Sequence, residues 1–373
     1  MKIILIGSVP PPYHGSTIYF RSLLESRLRD VHTVYHLDTS DHRTIDNITK
    51  LDPVNVYLAV KNVFQLIFML GARRPDIVYV PLAQKFLPYI RDGLFILCAK
   101  FFSRAKIVVH LHGGDYFRKE FYEKSGKFAA WFVRKTLSYA HTAIVLGNSL
   151  RCIFEDLVDR IEVVPNGIED PAARRNGSDT GRQSEKFVIG YLGNFFESKG
   201  ILDVLEASRE VISRHPHVTF RFAGAWTDQE PDTKKAAYRL IEEYGLKENV
   251  EFAGLLRGTE KERFLTDLSI FVFPSRYEGQ PLVILEAMAS GLPVVSTKGV
   301  GAIDEMVIDG ETGILVDKRS PQQIARALVH LIEHPDVCMT MGKAGRKRFK
   351  ESFLMDKNIG KMIGVFEKVY GES

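Results

Sequence analysis

The stretch LSIFVFPSRYEGQPLVILEAMASGLPVVST, residues 268–297, contains the repeating unit of the fold. Its apolar runs at 268–274 and 292–297 each predict a β-strand. Between them, a loop with Gly and Pro leads into PLVILEAMASG, whose apolar spacing predicts a helix with Gly291 as its C-cap. A strand, a helix and a second strand in this order indicate a βαβ unit with parallel strands.

The same alternation runs through most of the chain. Helical stretches such as 16–28 and 93–104 separate strands predicted at 2–7, 32–37, 76–81, 106–112, 142–147 and 161–165, then at 186–193, 217–224, 249–254, 268–274, 292–297 and 313–316. Residues 166–185 are polar and lack periodicity, which predicts a linker. We therefore expect an α/β protein with two Rossmann-like domains, 1–165 and 186–354, that face each other across a ligand-binding cleft. An amphipathic stretch at 357–370 predicts a terminal helix.

Composition limits the classes of protein to consider. The 373 residues carry a net charge of only +4, which argues against a nucleic-acid-binding protein. Cys98, Cys152 and Cys338 are scattered singly, as expected in a reducing compartment such as the cytoplasm. The N-terminal MKIILIG predicts a first strand instead of a signal peptide. The apolar stretch 54–70 contains four polar residues and predicts a buried helix instead of a membrane span.

In the first domain, two loops after predicted strands are candidates for ligand contact. GSVPPPYHGST, residues 7–17, opens a helix, and Gly15 lets backbone amides approach an anion. A simple strand-to-helix turn is the alternative; the dinucleotide fingerprint is missing, which makes Asp38 a weak candidate for a ribose-binding acid. In VVHLHGGDY, residues 108–116, His110 is expected in the core, whereas His112 precedes two glycines at the strand end. A metal site there would need a third ligand besides Asp115.

In the second domain, charged residues flank helix starts. In YLGNFFESKG, residues 191–200, Lys199 is suited to phosphate oxygens, although a solvated lysine is an equal alternative. Glu278 precedes the helix of the opening stretch, and Glu286 lies about two turns along it. A carboxylate within LVILEAMA is costly without hydrogen bonds, and ribose hydroxyls would supply them. A solvent-facing helix glutamate is the alternative for Glu286.

These motifs together resemble glycosyltransferase family 4, retaining enzymes of the GT-B fold that include bacterial polysaccharide and lipopolysaccharide transferases. The resemblance rests on the E-x7-E spacing of Glu278 and Glu286, the N-terminal His-Gly pair, HLHGG, PNGI at 165–168 and the GN…KG segment. It covers essentially the whole chain and is most specific from 186 to 350. It implies that the terminal helix, 355–373, crosses back to the first domain.

The resemblance also implies roles for single residues. Glu286 would bind the ribose of a nucleoside diphosphate sugar, and Glu278 would contact the hydroxyls of its sugar. The diphosphate would be held by Lys199 and by the backbone amides of the segment Gly279, Gln280 and Leu282, with Gly15 closing over it. His112 would contact the sugar, and backbone near Leu256 would meet the nucleobase.

One residue departs from the family pattern. Asn194 stands where many members have Arg, so one cation expected at the diphosphate is absent from that position. Arg276 or Arg257 is a candidate to compensate. We find no DxD-like acidic pair and expect no metal or other cofactor. Since no enzyme nucleophile is evident, we expect front-face attack by the acceptor hydroxyl.

The predicted function is a metal-independent retaining glycosyltransferase of hexosyltransferase type. The donor would be UDP- or GDP-linked, and the acceptor a glycan or lipid-linked molecule bound by the first domain. Basic and aromatic residues at 117–139 predict peripheral contact with anionic lipid on the inner face of the cell membrane, although a solvated helix face is an equal alternative. A GT-B epimerase, a phosphorylase or a non-catalytic sugar-nucleotide-binding protein are the competing functions; a phosphorylase would need a much longer chain.

Overall fold

The structure, a computed structural model, describes residues 1–11, 15–41, 43, 52–174 and 187–371. The chain divides into two compact units. Unit 1 comprises Met1–Gly167 and Met355–Ser373, and unit 2 comprises Ile168–Leu354. Each unit contains one parallel six-stranded sheet covered by helices, so the predicted α/β architecture with two Rossmann-like units is confirmed.

The sheet of unit 1 has the strand order β2-β1-β3-β4-β5-β6. Its strands are β1 (Lys2–Gly7), β2 (Thr33–Asp38), β3 (Ile77–Pro81), β4 (Lys106–His110), β5 (Thr142–Val145) and β6 (Ile161–Val163). The central strands are apolar on both faces because helices cover both sides of a parallel sheet. In β1, for example, every residue after Lys2 is buried.

Six α-helices of unit 1 lie within the described residues. They are α1 (Gly15–Leu24), α2 (Leu28–Val31), α3 (Pro53–Arg73), α4 (Phe86–Phe102), α5 (Lys127–Leu137) and, in this unit's C-terminal segment, α13 (Met355–Gly371). Helix α13 packs Ile359, Met362 and Phe366 against the core beside Tyr19 and Tyr79. The prediction that the terminal helix returns to the first domain is therefore confirmed.

The sheet of unit 2 has the strand order β12-β11-β10-β7-β8-β9. Its strands are β7 (Val188–Leu192), β8 (Thr219–Ala223), β9 (Val250–Gly254), β10 (Ile270–Phe273), β11 (Val294–Thr297) and β12 (Gly313–Val316). Its helices in the described residues are α6 (Ile201–Arg214), α7 (Pro231–Glu243), α8 (Gly258–Asp267), α9 (Leu282–Ala289), α10 (Ile303–Met306), α11 (Pro321–Glu333) and α12 (Pro335–Ser352). The opening stretch thus forms β10, α9 and β11, with β10 and β11 paired in parallel.

Helix α3 corrects one expectation. It forms as predicted, with Asp52 as N-cap accepting a hydrogen bond from the Asn55 amide at 2.8 Å. It is not a buried helix, because only Asn62, Leu66 and Leu70 along its length are buried. By length and composition alone, α3 also qualifies as a candidate membrane span, the only helix in the described residues that does.

The predicted linker is partly structured. Ile168 forms a bridge with Leu354, and Pro171–Arg174 forms a short 3-10 helix. The Asp170 carboxylate accepts two hydrogen bonds of 2.7 Å from Arg346 Nη2. Residues 175–186 lie outside the described residues. Residues 168–174 of the predicted linker are therefore part of unit 2, whereas residues 166 and 167 belong to unit 1.

Candidate active site

In unit 2, hydrogen bonds to two neighbouring loops hold the loop after β10 in place without a ligand. The Arg276 amide donates to the Ser198 carbonyl at 2.8 Å, which joins this loop to the one after β7. On the other side, the Ala302 amide donates to the Gly279 carbonyl at 2.7 Å. The main chain around Glu278 is therefore held by two other loops at the C-terminal edge of the sheet, where parallel α/β sheets bind ligands.

Lys199 and Glu278 are brought together by this arrangement. Lys199 Nζ lies 2.5 Å from Glu278 Oε1 and donates to the Tyr277 carbonyl at 3.2 Å. Lys199 ends a 3-10 helix, and Gly200 follows with φ 77°. A Cβ at Gly200 would lie 2.3 Å from the Pro274 carbonyl oxygen, so glycine permits the close approach of the two loops. Lys199 is thus not a freely solvated lysine.

The start of helix α9 offers backbone amides. The segment Gly279, Gln280 and Leu282 surrounds its N-cap Pro281, whose own side chain makes no capping hydrogen bond. Since the first amides of a helix lack intrahelical acceptors, an anion is a suitable partner for them. Lys199, paired with the adjoining Glu278, places a cation beside this helix start.

The Glu286 carboxylate is mostly buried, and a lysine balances its charge. Its Oε1 lies 2.6 Å from Lys261 Nζ on α8, and its side chain is only 17% exposed. Leu256 lies in the loop between β9 and α8 and packs against the core of unit 2. Sequence analysis missed Lys261, because a lysine on an amphipathic helix carries no signal of its partner 25 residues away.

The Arg276 guanidinium is held by two acids of unit 2. Its Nη2 donates to both carboxylate oxygens of Asp203, at 3.0 and 3.1 Å, and its Nη1 donates to Glu197 Oε1 at 2.8 Å. Burial lowers the pKa of Arg276, but these two acids outweigh burial and raise it. Compensation for Asn194 by Arg276 would require one of these ion pairs to be given up, and it stays a prediction. Asn194 itself is exposed in the loop after β7.

In unit 1, His112 belongs to a cluster of rings. Tyr79 Oη lies 2.8 Å from His110 Nδ1 and 3.2 Å from His112 Nε2. The rings of the two histidines are 3.9 Å apart, and that of Tyr19 is 4.7 Å from His112. Because the Tyr79 hydroxyl has one proton, at least one histidine must donate to it. His110 is fully buried, as expected.

Burial keeps His112 neutral near pH 7. It lowers the pKa of His112 to about 4, while a hydrogen bond with the Asn166 side chain acts in the opposite direction. Burial also lowers the pKa of His110 well below its usual range. At neutral pH, His112 can therefore position a hydroxyl by hydrogen bonding but supplies no positive charge.

Gly15 and His112 share one cavity of unit 1. This cavity has a volume of about 860 Å³ and is lined at one end by Gly7, Gly15, His112 and Gly113. Gly15 begins α1, whereas His14 of the His-Gly pair lies outside the described residues. The two residues predicted to contact the donor from the first domain are thus neighbours of the same space.

The basic segment 117–139 carries less free charge than its sequence predicts. Arg118 pairs with Glu123 and Asp156, and Arg134 Nη2 lies 3.0 Å from Asp156 Oδ2. Lys119 and Lys124 pair with acids one turn earlier. The aromatic side chains Phe128 and Trp131 on α5 remain exposed. Among the described residues, no three His, Cys, Asp or Glu side chains are grouped as metal ligands.

Comparison with known proteins agrees with this architecture. Residues 174–348 match the family model described as glycosyl transferases group 1, and residues 20–170 match that of glycosyltransferase family 4. Sucrose-phosphate synthase from Thermosynechococcus elongatus superposes with a TM-score of 0.78 over 100% of both chains, at 19% identity. Anabaena Alr3699/HepE, solved in complex with UDP, gives 0.74 at 18% identity over 99% of this chain and 100% of its own. These two structures share the fold.

Curated relatives match over part of their length. The capsular polysaccharide biosynthesis glycosyltransferase CapM of Staphylococcus aureus is 31% identical over 170 residues, 46% of this chain and 43% of CapM. Trehalose synthase of Pyrococcus horikoshii is 28% identical over 191 residues, 50% of this chain and 45% of its own. The chain spans about half the length of the curated relatives it matches. The two family models together cover nearly all of this chain, which belongs to the group 1 and family 4 glycosyltransferases.

Proposed function

We propose that this chain transfers a hexosyl group from a UDP- or GDP-linked sugar to a hydroxyl of a glycan or lipid-linked acceptor, with retention of the anomeric configuration. The observation that carries the proposal is the ion pair of Lys199 and Glu278 beside the start of α9. Helix amides and a lysine suit a diphosphate, and the carboxylate suits sugar hydroxyls. The complexes of Anabaena HepE with UDP and with UDP-glucose support this class of donor.

The two glutamates would take separate parts of the donor. Glu286, two turns into α9, would accept hydrogen bonds from the ribose, with backbone near Leu256 beside the base. Glu278 would bind hydroxyls of the sugar and Lys199 the diphosphate between them. The amides of the segment Gly279, Gln280 and Leu282 would complete the phosphate site, with Asn194 contributing at most a neutral hydrogen bond. From unit 1, Gly15 would approach the diphosphate and His112 would bind the sugar.

The reaction needs stabilisation of a departing diphosphate. As the bond from the anomeric carbon to the phosphate oxygen breaks, its electron pair moves to that oxygen. The acceptor oxygen bonds to the anomeric carbon on the same face, and its proton passes to the departing phosphate oxygen. Lys199 and the amides of α9 stabilise the negative charge, a role that elsewhere contributes about 3–4 kcal/mol per donor. This chemistry proceeds without a metal or another cofactor.

Substitutions at the ion pair test the proposal. We expect Glu278→Gln and Lys199→Met each to lower kcat about 100-fold or more, measured as release of nucleoside diphosphate from UDP-, GDP- and ADP-sugars. Lys298→Met is the matched control, because Lys298 forms an ion pair with Asp317 at 3.0 Å that we assign no role in the reaction. Unchanged rates in both site variants would contradict the assignment. Conversion of donor to an epimer without transfer would indicate an epimerase.

Metal independence has a direct test. We expect initial rates to be the same with an excess of EDTA and with added Mg²⁺ or Mn²⁺. Loss of activity in EDTA that is restored by one cation would contradict a metal-independent leaving-group site.

We also propose that unit 1 lies against the cytoplasmic face of the cell membrane. The exposed side chains Phe128 and Trp131 on α5 and Phe101 and Phe102 on α4 support the proposal, with Lys127 beside them. We expect flotation of the full chain with vesicles containing anionic lipid, and weaker flotation of Trp131→Ser. Equal flotation of the protein with vesicles of neutral lipid would contradict a contribution of anionic lipid to binding.

A further inference from the structure

Helix α3 presents an unusual surface for a helix that packs on a sheet. Its buried residues Asn62, Leu66 and Leu70 follow one narrow stripe in its C-terminal half. Phe64 and Phe68 alternate with these residues in the sequence, and their side chains are 68% and 73% exposed. Large exposed apolar side chains grouped on one helix are typical of a surface that binds a partner or a ligand.

A groove runs between α3 and α4 on one side of this stripe. It is part of the cavity of about 860 Å³ described above, within the size range of small-molecule sites. Its walls carry Val56, Val60 and Val63 from α3, opposite the α4 residues Leu87, Ile90 and Leu94. Each set spans eight residues at helical spacing, or seven steps along the helix axis, so the apolar walls extend about 10 Å along each helix.

The cavity has a different character at the sheet. There it meets the C-terminal ends of β1, β3 and β4, at Gly7, Pro81 and His112. Gly15 also borders this end. The space is therefore amphiphilic. Polar groups lie at the strand ends, and between the helices the apolar walls are joined by Asn55 and Asn62 of α3 and by the ion pair of Arg91 and Asp92 on α4.

We propose that this groove, bordered by α3 and α4 and ending at His112, binds the hydrocarbon chain of the acceptor. The acceptor is then an amphiphile whose hydroxyl-bearing head lies at the strand ends and whose chain lies between the helices. The inference rests on the proposed function, because the roles of His112 and Gly15 make this end of the cavity the place of the acceptor hydroxyl. It selects a lipid-linked acceptor over a free glycan.

The binding of alkyl glucosides to the full chain tests this proposal without requiring activity. The readout is displacement of a fluorescent anthroyloxy fatty acid, with all amphiphiles below their critical micelle concentrations. We expect octyl, nonyl and decyl glucoside to compete at one site, each added methylene tightening competition about fourfold. Glucose alone should compete weakly or not at all.

Two phenylalanines on the same helix provide a matched pair of variants. Phe64 borders both the groove and a neighbouring cavity between α3 and β2, whereas Phe68 borders that neighbouring cavity and not the groove. We expect Phe64→Asp to weaken decyl glucoside at least tenfold and Phe68→Asp to change it less than twofold. Ala59→Trp, which fills the groove from α3, should weaken binding as well if circular dichroism shows the native fold.

The outcomes separate this proposal from the proposed function. Equal losses of affinity in Phe64→Asp and Phe68→Asp would mean that the probe binds to the exposed face of α3, as a membrane would. That result would contradict binding in the groove. Competition that does not depend on chain length would overturn it too. If the groove binds as expected while no nucleotide sugar is consumed, the groove stands and only the assigned transferase activity fails.

Discussion

At the scale of single residues, unit 2 compensates both donor-site carboxylates with lysines. Glu278 pairs with Lys199 and Glu286 with Lys261, and the two carboxylate side chains are only 12% and 17% exposed. Partly buried carboxylates lose solvation, and a nearby ammonium offsets that loss. Binding of a donor would therefore add hydrogen bonds from hydroxyl groups to carboxylates that the lysines already hold in place.

Removal of Lys261 tests this view of Glu286. We expect Lys261→Met to raise the donor Kd about tenfold, because Glu286 then lacks the contact that orients its carboxylate. The Glu286→Gln variant should weaken binding at least as much, and the double variant should show less than the sum of the two effects, since the residues are in contact. Isothermal titration with the preferred nucleotide sugar measures all three.

Lys235→Met is the control for this series. Lys235 forms an exposed ion pair with Asp232 on α7, three residues earlier in the same helix. Exposed pairs of this kind contribute about 0–1 kcal/mol, so donor affinity should be unchanged. Additive effects of the Lys261 and Glu286 substitutions would contradict a functional pair.

The neutral histidines of unit 1 predict a pH dependence of stability. The pKa of His112 falls from 6.5 to about 4 on folding, so the unfolded chain binds a proton first as the pH decreases. The stabilisation is complete above pH 6.5 and declines toward about pH 4. We expect His112→Gln to flatten the fall in melting temperature between pH 7 and 5.5. An unchanged slope would show that His112 titrates alike in both states.

At the scale of elements, the donor loop depends on a neighbouring turn. Gly301 has φ 53°, and a Cβ there would lie 2.3 Å from the carbonyl oxygens of both Glu278 and Gly279. Gly299 has φ 65°, but no described atom lies within 4 Å of the Cβ it would gain. Both glycines thus carry the same backbone strain when replaced, and only one of them touches the loop.

The two glycines form a matched test. We expect Gly299→Ala to cost about 1–2 kcal/mol of stability from the left-handed backbone alone, with donor affinity unchanged. Gly301→Ala should cost more and also weaken donor binding, because the loop at Glu278 must shift. Thermal unfolding and titration with donor measure the two effects. Equal donor affinity in both variants would show that the loop position does not matter.

The sequence patterns predicted the helices and strands more accurately than the burial of their side chains. Each predicted strand forms, because short apolar runs between polar turns are typical of strands covered on both faces. Helix α3 shows where prediction from sequence ends. Its composition indicates a helix, but the exposure of Phe64 depends on which other parts of the fold pack against it. Helix α4 begins at Phe86, seven residues before the predicted start at residue 93.

The same limit applies to the candidate site. Lys199 and Glu278 were expected at one ligand because the family resemblance implies it, and the structure pairs them. The partner of Glu286, Lys261, and the pairing of Arg276 with Asp203 depend on packing between distant segments. Side-chain spacing within one element carries no information on such contacts.

At the scale of the whole molecule, the proposed donor class predicts stabilisation by ligand. A nucleotide sugar at 100 times its Kd adds about 2.7 kcal/mol to the free energy of unfolding. For a unit of this size, that raises the melting temperature by about 5–10 °C. We expect this shift with either UDP- or GDP-sugars and a smaller one in Glu286→Gln. Equal shifts with every nucleotide, or none, would contradict a specific base and ribose site.

The most direct test of the central claim is proton NMR of the reaction with the preferred nucleotide sugar and an alkyl glucoside acceptor. We expect a new glycosidic product with the anomeric configuration of the donor, formed by the wild-type chain and by Lys298→Met but about 100-fold more slowly by Glu278→Gln. Donor that remains unchanged, or a product of inverted configuration, would contradict it.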